Sequence, residues 1–224
     1  MKTLRLMVTL GVVILLGWQG ILFMQAREPV YQGKKLGEWL ELYQDESWDS
    51  PERQKAAQAV QNIGPKAIPS LLKTMSYRRP PMEEKGIDLL RRQKLVPIEA
   101  VQVGTYRARG ADGFEILGEA ARPAIPKLVK LLDDRNKHIK YLAFVSLLEV
   151  RPSQRDLTPA LMKAAKDPDP YIGNEAVNAL RYFDPEAARG AGFGGPVDTE
   201  SYVYIKYEML HEGGDQGHGV NGRS

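Results

Sequence analysis

Residues 126–147, PKLVKLLDDRNKHIKYLAFVSL, and residues 159–180, PALMKAAKDPDPYIGNEAVNAL, are two copies of one helical pattern set 33 residues apart. Pro126 aligns with Pro159, Leu128 with Leu161, Asp134 with Asp167, Ile139 with Ile172, Ala143 with Ala176 and Leu147 with Leu180. A fixed period of this length marks stacked helical hairpins, each of which buries its apolar face only against a neighbour. A surface built in this way suits binding better than catalysis.

Working towards the N-terminus, Ala124-Ile125-Pro126-Lys127-Leu128-Val129-Lys130 reappears as Ala67-Ile68-Pro69-Ser70-Leu71-Leu72-Lys73, and both stretches read as first helices of hairpins. Ala56, Val60 and Ile63 correspond to Ala143, Leu147 and Val150, so their helix is the second member of its hairpin. Ser50 is its expected N-cap, with Pro51 at the first helical position, and Gly64-Pro65 closes it. Proline at a helix start costs nothing, because the N–H it lacks has no intrahelical partner there. The small residues Ala143, Ala176 and Ala179 allow close approach of paired helices, while Leu128, Leu147, Leu161 and Leu180 fill the space between layers.

The stretch from Leu117 to Leu128, LGEAARPAIPKL, and Asp167-Pro168-Asp169-Pro170-Tyr171-Ile172 with Ala176, Ala179 and Leu180 resemble the HEAT-repeat family. The membrane-proximal run Tyr31-Gln32-Gly33-Lys34-Lys35-Leu36 before Trp39-Leu40 is similar to that of exported bacterial HEAT proteins. The resemblance implies an all-α fold, an α-solenoid of HEAT-type hairpins over residues 50–189 that serves as a scaffold for other macromolecules. The family pairs an Arg of the second helix with an Asp of the inter-helix turn. Here Lys140 keeps the charge and Gly173 does not, so the ladder is expected to be interrupted, and Gly173 to weaken its helix by about 1 kcal/mol relative to alanine.

Outside the repeats the chain changes character. Lys2 and Arg5 precede 19 uncharged residues, Leu6 to Met24, which are long enough to span a bilayer. Bulky Met24, three residues before a cut after Ala26, argues for an uncleaved signal anchor over residues 1–27 rather than a cleaved secretory signal. The expected orientation puts the N-terminus in the cytoplasm and the body outside. Residues 28–49 read as an extended linker, Glu28 to Lys35, and an amphipathic helix with Leu36, Trp39, Leu40 and Tyr43 on one face, which covers the open end of the stack. Met82 to Leu95 has helical spacing, Val96 to Gly104 interrupts the period, and a helix restarts near Thr105 with Ala108, Ala111, Phe114 and Leu117 on one side; Gly110 and Gly113 count against it. Residues 190–224 hold 9 glycines and a net charge of −3, and most of this tail is expected to be disordered. Tyr202-Val203-Tyr204-Ile205-Lys206-Tyr207 stands out within it as a transient strand or a short partner-binding motif.

Chemistry is sparse. The absence of cysteine removes disulfides, thiolate metal sites and lipidated cysteines. His138 sits at a helix start, His211 and His218 lie in the glycine-rich tail, and Gly192-Phe193-Gly194-Gly195 lacks the strand and the Lys-Ser/Thr of a phosphate loop. No catalytic residue, metal ligand or cofactor is expected, and the fold-level alternative of an enzyme on a HEAT-like scaffold, of glycosylase or lyase type, has no converging residues behind it. The formal net charge is +3, and the one charge feature is a basic edge at Arg78, Arg79, Arg91 and Arg92, extended by Lys85, Lys94, Arg107 and Arg109. Such an edge fits an anionic partner surface, although Glu83, Glu84 and Asp88 are interleaved with it. The expected partners are a protein and, through the N-terminal helix, the membrane; export leaves nucleic acid out.

Overall fold

The computed structural model describes residues 28–80 and 103–201, which fall in two compact units divided between Leu117 and Gly118. Both are helical; the sole strands among the described residues are two dipeptides in the first. The anchor at 6–24, the helix expected at 82–95 and the 202–207 motif lie outside the described residues. Among the described residues no helix is long and apolar enough to cross a membrane.

In the first unit, β1 (Val30–Tyr31) and β2 (Lys34–Lys35) pair antiparallel, with Val30 opposite Lys35. The linker expected at Glu28 to Lys35 is therefore folded back on itself. Gln32 and Gly33, at φ +47° and +79°, make the left-handed two-residue turn whose twist suits paired strands. Trp39 Nε1 donates to Tyr31 O at 3.1 Å and the Asn62 amide donates to the Tyr31 hydroxyl at 3.1 Å, which pins the hairpin to the helices.

Helix α1 (Leu36–Asp45) buries Leu36, Trp39, Leu40 and Tyr43, the expected face. It packs along α2 (Pro51–Ile63), so it covers the unit as the first member of a hairpin and not as an isolated lid. Ser50 Oγ accepts from Arg53 N at 3.0 Å, satisfying one of the donors left open at a helix start. Gly64, at φ +62°, ends α2 and opens a 3-10 turn (Gly64–Ala67) into α3 (Ile68–Met75).

Helix α3 packs along α4 (Val103–Leu117), whose described residues include the expected Thr105 to Leu117. Phe114 and Leu117 are buried with Ala111, whereas Ala108 is only half-buried and Arg107 is buried in addition. Gly110 and Gly113, which count against a helix by propensity, are the reason this pair fits. A Cβ on Gly110 would stand 2.7 Å from both Leu71 O and Met75 N, and one on Gly113 would overlap the Leu71 methyls. Tertiary packing overrides propensity here.

The second unit opens on a 3-10 segment (Gly118–Ala124), with Gly118 at φ +51°, and runs through α5 (Ile125–Leu131), α6 (Lys137–Glu149), α7 (Gln154–Ala164), α8 (Pro170–Phe183) and α9 (Pro185–Gly190). Helix α5 pairs with α6 and α7 with α8. Leu128 and Leu161, Ile139 and Ile172, Ala143 and Ala176, and Leu147 and Leu180 are all buried, pair by pair.

The 33-residue correspondence extends to hydrogen bonds. Asp134 Oδ1 accepts from Asn136 N at 2.8 Å and Asp167 Oδ1 from Asp169 N at 2.9 Å. Asn136 then accepts from His138 N and Ile139 N, and Asp169 from Tyr171 N. Each turn thus consists of a side chain bonding its own backbone two residues on, followed by an N-cap. Pro126 stands in the first turn of α5, whereas aligned Pro159 lies inside α7, which starts about one turn earlier. Lys140 forms an ion pair with Asp167 of the next turn, while Gly173 carries no cation to continue the ladder.

The boundary drawn at residue 190 falls inside ordered structure. Phe193 N donates to Ala188 O at 2.8 Å, and the Arg181 guanidinium donates to the carbonyls of Phe193, Gly194 and Pro196. Asn178 donates to Asp198 O at 3.0 Å, accepts from Asp198 N at 2.6 Å and bonds the buried Ser201 hydroxyl. Glycine-rich composition hides this segment because most of its order comes from two α8 side chains bonding its backbone, with the Ser201 hydroxyl as its own contribution.

Candidate functional site

The expected basic edge is only half within the described residues. Arg78, just past the end of α3, is exposed and Arg79 is half-buried, while Arg91 and Arg92 lie outside the described residues, as do Lys85 and Lys94. Two cations added to that edge by the sequence are internal instead. Arg107 is buried and its Nε donates to Tyr77 O at 2.7 Å, tying α4 to the chain after α3. Arg109 forms an ion pair with Glu41 at 3.0 Å and donates to Gln44 at 3.1 Å, fastening α4 to α1.

The same use of charge fills a depression of about 290 Å³ in the first unit. Its carboxylates are engaged by the fold: Glu28 accepts from Gly37 N, Glu38 from Lys35 N, and Glu41 pairs with Arg109. Nearby, burial raises the Tyr43 hydroxyl above the usual tyrosine range, and the Glu115 carboxylate pushes it the same way. The Arg53 guanidinium lies over the Tyr43 ring at 3.7 Å and over the Trp48 ring at 4.9 Å. Trp48 is 77% exposed, so one of its faces is stacked on a cation and much of the ring meets solvent.

The second unit carries the concavity that joins two hairpins. Asn136 caps α6 and Asp169 caps α8, which fixes where each second helix begins. His138 and Tyr141 lie one turn apart on α6, and Tyr171 begins α8 beside them. Together with Lys137, Asp169 and Ile172 they line a depression of about 260 Å³. The Tyr141 and Tyr171 rings stand 5.4 Å apart with planes inclined at 54°, within the range of favourable aromatic contact. Tyr171 is 55% exposed and Ile172 is buried beneath it. Asp169 spends one oxygen on the Tyr171 N–H, so its role at this position is to hold the aromatic in place.

What this arrangement offers is two aromatic faces, a lysine, an imidazole and a carboxylate, in an open and shallow setting. It can hold an extended segment by stacking and polar contacts. Among the described residues no group of three or more His, Asp or Glu side chains is placed to hold a metal ion.

Reading the repeats by offset missed this pair for a definite reason. Tyr141 aligns with Asn174 and Tyr171 with His138, so the contact is out of register and neither tyrosine has a tyrosine at its equivalent. The available signal was the helical wheel, on which positions 138, 141, 171 and 174 all fall opposite the buried stripe. Compared with protein-family models, with curated proteins and with solved structures, the chain finds no match in any of the three.

Proposed function

We propose that this chain is a HEAT-type α-solenoid, tethered to a membrane by residues 6–24 with its repeat body exported, and that it acts as a non-enzymatic scaffold for a protein partner. The 33-residue period, its conserved turn bonds and the Lys140–Asp167 link between successive hairpins support the repeat reading. The observation that carries the function is the Tyr141–Tyr171 depression, because its two rings come from consecutive hairpins and neither hairpin forms it alone. Tyr171 is exposed and Tyr141 half-buried beside it, and aromatics with a polar rim are among the residue types that dominate protein recognition. In the first unit, the expected Arg78, Arg79, Arg91, Arg92 edge is a separate, charged contact for the partner.

Capture of partners by the full chain from detergent-solubilised membranes tests this. Y141A/Y171A should reduce capture, and replacing the four arginines by serine should reduce both capture and its sensitivity to salt, with the helical circular dichroism unchanged in each. Capture unaltered by either change refutes the surface, and a turnover activity of the purified body refutes the scaffold.

A further inference from the structure

We infer that the strap formed by residues 191–201 is an end cap: it stands where a further hairpin would stack on α8, and it keeps that edge from docking a hairpin of a second copy of the chain. The inference rests on the repeat reading proposed above and goes beyond it, because it says where the stack stops and what stops it.

The 33-residue alignment, read for its differences, carries the first half of the argument. Leu132, Phe144 and Leu148 of the α5–α6 hairpin align with Ala165, Val177 and Arg181 of the α7–α8 hairpin. The first three are 6%, 0% and 2% exposed, whereas the second three are only half-buried. Another hairpin follows α6, while α9 and the strap follow α8. Phe144 and Leu148 lie one turn apart and so share one side of α6, and Val177 and Arg181 share the matching side of α8. Packed helices bury interdigitating side chains. The last hairpin therefore lacks the large apolar side chains with which an inner hairpin meets its successor, and it carries a cation in place of one of them. The stripe within each hairpin is unchanged by comparison, since Leu128 and Leu161, Ala143 and Ala176, and Leu147 and Leu180 are buried in both.

What meets that edge carries the second half. The Arg181 guanidinium donates to the carbonyls of Phe193 at 2.8 Å, Pro196 at 3.2 Å and Gly194 at 3.3 Å. One turn earlier, Asn178 bonds both the N–H and the carbonyl of Asp198. These partners are backbone groups of a segment without helix or strand, so the arginine is satisfied with no apolar surface opposite it. The approach is close: a Cβ on Gly195, at φ +137°, would stand 3.3 Å from Arg181 Nη2. Stacked repeats need terminal units with a polar outer face, because an edge that accepts the next copy head to tail makes a contact that does not close. Arg181 and its strap supply such a face.

The test compares full-chain variants in detergent by sedimentation velocity and by chymotrypsin cleavage after Phe193. V177F/R181L restores the α6 residue types at the α8 edge. It should release the strap and self-associate with rising concentration more than the parent does. R181L alone should do both more weakly, which keeps the test decisive where the double variant folds poorly. R181A removes the strap's three carbonyl bonds without adding apolar surface, so it should be cut faster and stay as dispersed as the parent. Cleavage follows the undocked fraction where docking is fast, and a hydrogen bond to a charged group weighs about tenfold or more in such an equilibrium, so R181A should speed cleavage by about tenfold or more. G195V crowds the guanidinium from the other side and should speed cleavage with α8 unaltered. Unchanged cleavage in R181A and G195V overturns the inference, and so does association of V177F/R181L and R181L no greater than that of the parent. The repeat reading fails separately, through the stabilities of Leu147→Ala and Leu180→Ala in urea.

Discussion

Replacing Gly110 by alanine sets two opposing effects against each other in one helix. Glycine inside a helix is less favourable than alanine by about 1 kcal/mol, so propensity alone predicts that Gly110→Ala stabilises α4. The packing says otherwise. The added Cβ would stand 2.7 Å from Leu71 O, 2.7 Å from Met75 N and 2.9 Å from Met75 Cβ. The first two are main-chain atoms, and no rotamer change of α3 moves them. The two helices must separate, which loosens contacts among Leu71, Met75 and Phe114, all fully buried. Overpacking costs typically about 1–3 kcal/mol, and a clash with backbone belongs at the upper end of that range. Subtracting the propensity gain leaves a net loss of about 2 kcal/mol.

Gly173→Ala is the matched control, because its Cβ would meet Asp167 O at 3.3 Å and Ala165 O at 3.7 Å, a contact that a small shift relieves. It should be neutral or stabilising by up to about 1 kcal/mol. Urea denaturation of the full chain in detergent, followed by far-ultraviolet circular dichroism, measures both variants. If Gly110→Ala proves as stable as the parent, or if the two substitutions shift stability equally, then α3 and α4 do not approach as described.

Leu147 and Leu180 are both fully buried at equivalent positions, so Leu147→Ala or Leu180→Ala should cost about 2–5 kcal/mol. Lys163→Ala removes only an exposed ion pair with Asp133 and should cost about 0.5 kcal/mol or less; similar losses at the three positions in the same denaturation series would contradict the register. Asp184 is held below the usual carboxylate range, chiefly by the Thr158 hydroxyl that donates to it at 2.7 Å and then by the Ala187 N–H at 3.1 Å. A depressed folded-state pKa gives stability that is present above the unfolded-state value and lost as pH falls through the folded one. Thr158→Val should therefore be less stable than the parent at neutral pH, with the deficit shrinking in strong acid, and an equal deficit at both pH values would rule out the carboxylate link. The full chain should resist alkaline carbonate extraction from membranes, and a mature species starting near Arg27 in the soluble exported fraction would refute the anchor.

The turns and the core of the second unit were legible because their rules are local. Alignment at one offset picks out Asp134 with Asp167 and Ile139 with Ile172, and backbone bonding by Asp and Asn side chains two residues on needs no distant partner. Ser50 was legible for the same reason. The features that escaped depend on another element. Gly110 and Gly113 read as helix breakers until α3 supplies the backbone they approach, and Arg107 and Arg109 read as surface charge until Tyr77 O and Glu41 stand beside them. The Tyr141–Tyr171 pair needed the side-by-side placement of α6 and α8, which an in-register comparison does not show. Residues 190–201 looked unstructured because composition reports what a segment contributes, and this one is ordered by what Asn178 and Arg181 contribute to it.

The turn bonds of α6 and α8 also bear on how long such a protein is free to become. These bonds that start α6 and α8 are made within six residues or fewer, from Asp134 to Ile139 and again from Asp167 to Tyr171. A duplicate of residues 134–166 spliced in after residue 166 would bring its own start signals. Lys140 would then face the duplicate's leading aspartate, and the duplicate's lysine would face Asp167. The lysine–aspartate link would be repeated with the same residue types at both joints, so the number of hairpins is a quantity that unequal recombination can change in single steps without redesigning this link on either side.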